Sequence, residues 1–291
     1  MILAAKRGDQ VRVARLAGDE LIDFCLWSRA APDGVGDIYH GRVLAVMPAM
    51  AGSFIELGGI EGFLPNNAGR AKLSVGDLIA VRVTRAAQGG KGVRLAWIAD
   101  APGSKPGLRE RGPGPLLEWA AAAPDEQVCV DDSELLALWH QTLGPRLSLV
   151  AQAFDPILED EVAGLAEPIA ALPGGARMII TPTPALTAID IDAGAHSAGK
   201  GQKAAAQLAL NRDLIPFIAR QIRLRNLSGA ILIDFAGMKT AARARLAPDV
   251  RAVLADDPLK PALLGFSHLG FAEILRPRIR PPLHEVLRHG V

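Results

Sequence analysis

The amino-acid sequence predicts an α/β protein that begins with a β-rich part. Residues 187–192 and 229–235 are two apolar runs that contain aspartates near their ends. Residues 203–226 between them have the length and apolar pattern of a helix, so the three segments predict a strand–helix–strand unit. In residues 10–97, by contrast, short strand patterns follow one another and are separated by turn residues. The chain therefore combines a β-rich part with an α/β part.

The composition indicates a protein without a membrane anchor. The 291 residues are 49% hydrophobic and 4% aromatic, and their net charge is +1. No apolar run reaches the length of about 20 residues that a membrane-spanning helix needs, and the amino terminus lacks the layout of a signal peptide. We therefore expect a cytoplasmic protein that does not bind membranes. The near-neutral charge means that any surface for nucleic acid is local.

The N-terminal strand patterns predict a hairpin followed by a small barrel. Residues 11–15 and 20–26 alternate in polarity around the turn residues 17–19, which is typical of a hairpin. Five further strand patterns over a short length are typical of an OB-type barrel, a fold that binds single-stranded nucleic acid. These five strands are predicted at 37–48, 53–57, 61–64, 78–85 and 93–96.

Residues 101–115 are rich in proline and glycine, so we interpret them as a linker without regular structure. Ser133 is the predicted N-cap of a helix that runs to Leu143. The last unit begins near Leu165. Other helices are predicted at 116–122 and 240–255, and other strands at 127–130, 178–180, 186–191, 230–235 and 262–267.

Asp190, Asp192 and Asp234 are the candidate metal ligands. Period-two alternation places Asp190 and Asp192 on one face of their strand. A strand–helix–strand unit makes its strands parallel and brings their carboxyl ends to one edge of the sheet, where Asp234 ends the second strand. Carboxylates that meet there repel one another unless a hard divalent cation binds them, which favours Mg²⁺ or Mn²⁺. The alternative is that each aspartate only caps the segment that follows its strand.

The predicted barrel contains residues 37–43, 53–58 and 61–65, whose pattern resembles the S1 RNA-binding domain. The resemblance implies that Phe54 and Phe63 lie on the open face of the barrel and stack on RNA bases. Such stacking is worth roughly 1–3 kcal/mol per base and tolerates any sequence. The alternative is that both rings belong to the barrel core.

Six basic residues are predicted to contact the RNA. The first two flank the last turn of the barrel, the next two belong to a basic loop before the long helix, and the last two lie near the end of that helix. The helix dipole alone also favours arginine at a helix C-terminus. The basic loop lacks the spacing of a nucleotide-triphosphate site, so we expect no nucleotide cofactor. The six are Arg85, Lys91, Lys200, Lys203, Arg220 and Arg223.

Three further segments can be compared with known families: residues 188–194, the run from 218 to 235, and Ser267-His268-Leu269-Gly270. Together with the hairpin and the barrel, they make the chain resemble the ribonuclease E/G family over nearly its whole length. The resemblance implies an RNase H-like unit with an inserted S1/OB barrel, followed by a DNase I-like catalytic α/β unit. It also implies Mg²⁺ bound by the residues at Asp190 and Asp234, and endonucleolytic cleavage of single-stranded RNA that leaves 5′-phosphate ends.

The resemblance also predicts domain boundaries. It places the N-terminal hairpin of the RNase H-like unit at residues 1–33 and the S1 barrel at residues 34–100. The linker follows at 101–115, the remainder of the RNase H-like unit at 116–164, and the DNase I-like unit at 165–291.

The chain departs from the family pattern at several points. Asp192 stands where the family usually has asparagine, and Gly237 replaces an acidic residue. The proline- and glycine-rich residues 101–115 stand in place of the segment that senses an RNA 5′-monophosphate. The chain ends before the CxxC motif that joins family subunits through zinc, and the isolated Cys25 and Cys129 form no zinc motif. We therefore expect neither bound zinc nor a zinc-linked dimer, and the oligomeric state stays open.

The sequence thus predicts a metal-dependent endoribonuclease of reduced architecture, with Asp190, Asp234 and Asp192 as catalytic residues. One alternative is an RNA-binding protein of the same family with a weakened catalytic site, which the changes at Asp192 and Gly237 favour. A more remote alternative is a metal phosphoesterase that acts on small nucleotides.

Overall fold

The computed structural model describes residues 1–69, 72–194 and 203–289. The chain forms two compact units. One contains residues 1–13, 26–153 and 279–281, and the other contains residues 14–25, 154–278 and those from Pro282 onward. The fold is of the mixed α/β type.

The elements follow in chain order. The strands are β1 (Ile2–Arg7), β2 (Gln10–Ala17), β3 (Glu20–Ser28), β4 (Ile38–Met47), β5 (Gly52–Glu56), β6 (Glu61–Pro65), β7 (Leu78–Arg85), β8 (Val93–Asp100), β9 (Gly107–Glu110), β10 (Val128–Val130), β11 (Leu147–Leu149), β12 (Ile169–Ala171), β13 (Arg177–Pro182), β14 (Leu186–Asp192), β15 (Gly229–Asp234), β16 (Ala262–Phe266) and β17 (Ala272–Arg276). The helices are α1 (Gly114–Ala122), α2 (Ser133–Leu143), α3 (Pro156–Gly164), α4 (Lys203–Leu224), α5 (Thr240–Arg243), α6 (Ala247–Leu254) and α7 (Leu283–His289). Among the described residues, no helix combines the length and the apolar character needed to cross a membrane.

The first sheet has the strand order β11-β10-β1-β2-β3, and β10 runs parallel to both of its neighbours. The predicted hairpin is confirmed as β2 and β3. The predicted cap of α2 is wrong by one residue. Asp132 is the N-cap, because its side chain accepts hydrogen bonds from the backbone N–H groups of Glu134 and Leu135.

The second sheet closes into a five-stranded barrel. Its ring runs β4-β5-β6-β8-β7 and returns to β4, which confirms the five predicted barrel strands. Alternation along each strand sends every second side chain inward. The barrel core consists of Val43, Ile55, Leu57, Leu64, Ile79, Val81, Val83 and Leu95.

The prediction that residues 101–115 lack regular structure is wrong in part. The segment contains β9, which pairs antiparallel with β4, and it ends in the first residues of α1. The buried carboxylate of Asp37 accepts hydrogen bonds from Arg111 Nη1 and from the backbone N–H of Gly112, both at 2.7 Å. These long-range contacts order a segment that its glycine and proline content alone would leave irregular.

The third sheet has the strand order β12-β13-β14-β15-β17-β16. Only the central pair β14 and β15 is parallel, and α4 connects these two strands, so the predicted strand–helix–strand unit is confirmed. Alternate residues of the sheet, such as Ile189, Ile231 and Ile274, share one core with Ile218 of α4 and Leu254 of α6. The opposite sheet face therefore carries the remaining side chains.

The single helix predicted over 240–255 is divided into α5, a short 3₁₀ turn and α6. Pro248 lies in the first turn of α6. Proline has no N–H group to continue a preceding helix, but it is well suited to a helix start. This explains why the helical pattern over residues 240–255 forms two helices instead of one.

Candidate active site

Asp190 and Asp234 lie opposite each other on the parallel strands β14 and β15. Because their neighbours Ile189 and Ile233 are buried in the core, the two aspartates lie on the other face of the sheet. Asp190 is exposed, and the side chain of Asp234 is 37% exposed. Two of the three predicted carboxylates therefore meet in register at the carboxyl end of this strand pair.

Asn211 fixes the chain just after Asp234. This residue of α4 is fully buried, and its Nδ2 donates to the carbonyl oxygens of Gln207 at 2.7 Å and Ala236 at 2.9 Å. Its Oδ1 accepts from the N–H of Ala236 at 3.0 Å. The amide thus satisfies both backbone groups of Ala236 and ties the end of β15 to α4. The sequence interpretation missed Asn211, although a polar residue between apolar positions of a helix is a usable signal.

A buried arginine stands beside Asp234. Nη1 of Arg243 lies 2.5 Å from Oδ1 of Asp234, and the arginine side chain is only 12% exposed. The two groups form an ion pair without hydrogen-bond geometry. Among the described residues, Oδ1 of Asp234 is buried and has no hydrogen-bond partner. The sequence interpretation did not assign Arg243 to the site.

Asp192 is engaged by residues other than the two aspartates. It lies opposite Arg177 on β13, and Nη2 of Arg177 is 2.5 Å from its Oδ2. Its Oδ1 accepts from the N–H of Gly194 at 2.9 Å. The pKa of Asp192 lies below its usual value of 3.8, first because of the hydrogen bond from Gly194 and second because of Arg177.

The expected convergence of all three aspartates is therefore not found. In the part of the chain that the structure describes, no group of three or more His, Cys, Asp or Glu side chains is placed to hold a metal ion. The reason is geometric, since β15 ends at Asp234 opposite Asp190 and offers Asp192 no partner, whereas β13 offers Arg177.

Phe54 and Phe63 lie outside the barrel core, so the alternative that they fill it is wrong. They are directly opposite on β5 and β6, are half-buried, and contact each other edge to face with ring centroids 5.5 Å apart. Their neighbours Ile55 and Leu64 face inward. A Cβ atom on Gly52 would stand 2.3 Å from Cζ of Phe63, so the glycine leaves the space that this ring occupies.

The predicted RNA-binding basic residues of the barrel lie near its last turn. Arg85 donates from Nη2 to the carbonyl oxygen of Gly92 at 2.9 Å. Lys91 is exposed, and its backbone pairs with that of Gln88. Lys200 and the side chain of Lys203 fall outside the described residues.

Arg220 and Arg223 of α4 are engaged within the protein. Nη2 of Arg220 lies 2.5 Å from Glu161 Oε1, and its Nε donates to the carbonyl oxygen of Leu21 at 2.8 Å. Arg223 donates two hydrogen bonds to Asp23, at 2.6 and 2.5 Å. Such bidentate and backbone contacts favour a structural role. Their binding to RNA stays a prediction.

Residues 135–279, which include most of α2, the third sheet, both register-matched aspartates and Arg243, match the model of the ribonuclease E/G family. The chain belongs to the ribonuclease E/G family. It is 36% identical to ribonuclease G of Escherichia coli K12 over 131 residues, which are 45% of this chain and 27% of that protein. It is 37% identical to ribonuclease G of Haemophilus influenzae over 117 residues, which are 40% of this chain and 24% of the relative.

A third relative of this family member is ribonuclease E of Synechocystis sp., which is 36% identical over 118 residues, or 40% of this chain and 17% of the relative. The matched part of the chain thus spans well under a third of each of these curated relatives. The family match contains the candidate metal ligands but not the barrel strands β4 to β8.

Proposed function

We propose that this member of the ribonuclease E/G family is a metal-dependent endoribonuclease that hydrolyses single-stranded RNA and leaves 5′-phosphate ends. The observation that carries the proposal is the parallel register of Asp190 and Asp234 within the region that matches the family. In this proposal the barrel is an S1 domain, and the remaining units are RNase H-like and DNase I-like. The biological role is RNA processing or decay.

The two aspartates fit a hard divalent cation. They offer carboxylate oxygens, which Mg²⁺ and Mn²⁺ prefer, and Oδ1 of Asp234 is buried without a hydrogen bond among the described residues. A buried carboxylate oxygen is costly unless a cation compensates it; the guanidinium group of Arg243 stands there in this structure, and a bound metal ion would take the same role. Asp190 and Asp234 would hold the ion, which when bound polarises the phosphoryl oxygen and lowers the pKa of an attacking water. Asp192 is proposed to orient that water beside them.

The barrel is proposed to bind the unpaired strand. Phe54 and Phe63 present half-exposed rings on its outer face, and Lys91 offers an exposed ammonium group for phosphate. Rings of this kind stack on the flat faces of unpaired bases. A duplex hides those faces inside its helix, so single-stranded RNA is the proposed substrate.

A second candidate is an RNA-binding protein with a weakened catalytic site. It is favoured by the ion pair between Asp234 and Arg243, in which a protein cation already stands at a proposed metal ligand. It is also favoured by Asp192, whose carboxylate is bound to Arg177 instead of joining the other two acids.

Cleavage of a fluorogenic single-stranded RNA separates the two candidates. The full chain would be assayed with Mg²⁺ and with Mn²⁺, beside Asp190→Asn, Asp234→Asn and the exposed control Asp160→Asn. We expect cleavage by the wild type and by the control, and a loss of about 100-fold or more in the two site variants. Undiminished cleavage in both site variants contradicts the proposal. RNA binding without cleavage by the wild type supports the second candidate.

A further inference from the structure

Arg243 is built into the surroundings of Asp234. It is the last residue of the short helix α5, and its Nε donates to the carbonyl oxygen of Met238 at 3.1 Å. Its Nη1 donates to the carbonyl oxygen of Gly270 at 3.2 Å, in the turn between β16 and β17. The same Nη1 lies 2.5 Å from Oδ1 of Asp234. One guanidinium group therefore joins three chain segments at the proposed metal site.

The turn between β16 and β17 leaves room for this side chain. Gly270 has a φ of +91°, a conformation that other residues rarely adopt. A Cβ atom there would stand 2.9 Å from Cδ and 3.2 Å from Nη1 of Arg243. Both the backbone conformation and the space at this position thus favour glycine, and the absence of a side chain admits the arginine.

Arg243 holds Asp234 differently from the way a purely structural arginine holds its acid. In the same unit, Arg223 donates two hydrogen bonds to Asp23, which is the strong bidentate arrangement. Arg243 donates single hydrogen bonds to the carbonyl oxygens of Met238 and Gly270, and its contact with Asp234 is an ion pair through Nη1 alone. Arg243 therefore has two carbonyl partners besides the carboxylate of Asp234.

We propose that Arg243 is the resident counter-ion of the metal site: it neutralises Asp234 in the metal-free protein and competes there with a divalent cation. This inference rests on the proposed function, because it concerns the same site. A divalent cation that binds Asp234 must displace the guanidinium group or bind beside a like charge, and either process lowers its affinity. Arg243 thereby sets the divalent-ion concentration at which the site fills.

The test is direct measurement of Mn²⁺ binding by the full chain, with the free ion followed by electron paramagnetic resonance. The variants are Arg243→Gln and the matched control Arg212→Gln, which removes an exposed ion pair with Asp249 in the same unit. We expect Arg243→Gln to bind Mn²⁺ about tenfold more tightly than the wild type, because a neighbouring positive charge is removed. The control is expected to bind as the wild type does.

Two further readouts keep the result interpretable. Arg243→Lys retains the charge, so its Mn²⁺ affinity is expected to stay closer to that of the wild type than to that of Arg243→Gln. Without metal, Arg243→Gln is expected to unfold at a lower temperature than the wild type, and Mn²⁺ is expected to raise its Tm by more, because tighter binding stabilises more.

Equal or weaker Mn²⁺ binding by a folded Arg243→Gln overturns the competing role of Arg243, and weaker binding makes it a positioning residue instead. The proposed function fails separately if Asp234→Asn binds Mn²⁺ as well as the wild type. If neither the wild type nor Arg243→Gln binds Mn²⁺, both proposals are overturned.

Discussion

The outer face of the barrel and the carboxyl edge of the third sheet hold their functional side chains in different ways. On the barrel, Phe54 and Phe63 contact each other and stay half-exposed. At the sheet edge, Asp192 and Asp234 each stand beside an arginine of the same chain. Under the proposed function, the barrel surface would receive bases without losing an existing contact, whereas a metal ion at the sheet edge would replace the arginine beside Asp234.

The largest stability effect is expected at the sheet edge, in Asn211→Ala. This change leaves the buried N–H and C=O of Ala236 without their partner, at about 1–3 kcal/mol for each group. Urea denaturation measures the loss in the free energy of unfolding. The control Asn67→Ala, at an exposed position, is expected to change it by no more than about 0.5 kcal/mol. A similar small change in Asn211→Ala would show that the end of β15 does not depend on this clamp.

In the barrel, truncating a core side chain is expected to lower the free energy of unfolding more than truncating its outward-facing neighbour. Leu64→Ala removes a side chain of the core and should cost about 2–5 kcal/mol of unfolding free energy. Phe63→Ala, one residue away, removes a half-exposed ring and should cost less. Denaturation curves of the two variants provide the comparison. A greater loss in Phe63→Ala would contradict the assignment of the two faces.

RNA binding is expected to depend on the outer face. Phe54→Ala should weaken the binding of a single-stranded oligonucleotide by about 5- to 150-fold, which corresponds to the loss of one ring–base stack. Fluorescence anisotropy measures this change. Phe217→Ala, which removes an exposed ring from α4, serves as the matched control. Unchanged binding in Phe54→Ala, or an equal loss in the control, would remove the barrel face from the proposed RNA site.

The smallest effect is expected for Asp192→Asn. The side chains of Arg177 and Asp192 are 57% and 36% exposed, so their ion pair should contribute little to the free energy of unfolding. The difference between wild type and variant in urea denaturation should shrink further at high salt, because salt screens exposed charges. A loss as large as that expected for Asn211→Ala would contradict this account of an exposed ion pair.

Local patterns predicted the framework of both regions. Alternation along residues 187–192 predicted the sheet face on which Asp190 lies. The helix predicted after this strand indicated that the next strand, which carries Asp234, runs parallel to it. The barrel strands were found in the same way, because each has its own pattern and turn residues. Strand β9 was missed, because it is ordered by long-range contacts to Asp37. The glycine- and proline-rich composition of the segment does not indicate such contacts.

The charges around the aspartates could not be predicted from local patterns. Arg177 reaches Asp192 because β13 pairs antiparallel with β14 in one register, and a shift of one residue would send its side chain to the other face. Arg243 reaches Asp234 because α5 ends near the turn that contains Gly270. Both pairings depend on tertiary geometry, and they decide which arginine stands beside each aspartate.

A crystal structure of the full chain soaked in Mn²⁺, with anomalous scattering recorded near the manganese edge, tests the central claim most directly. We expect an anomalous peak in contact with the carboxylates of both Asp190 and Asp234, and Nη1 of Arg243 further from Asp234 than 2.5 Å. Saturating Mn²⁺ with no peak at these two aspartates, or with peaks only elsewhere, would contradict the proposed metal site.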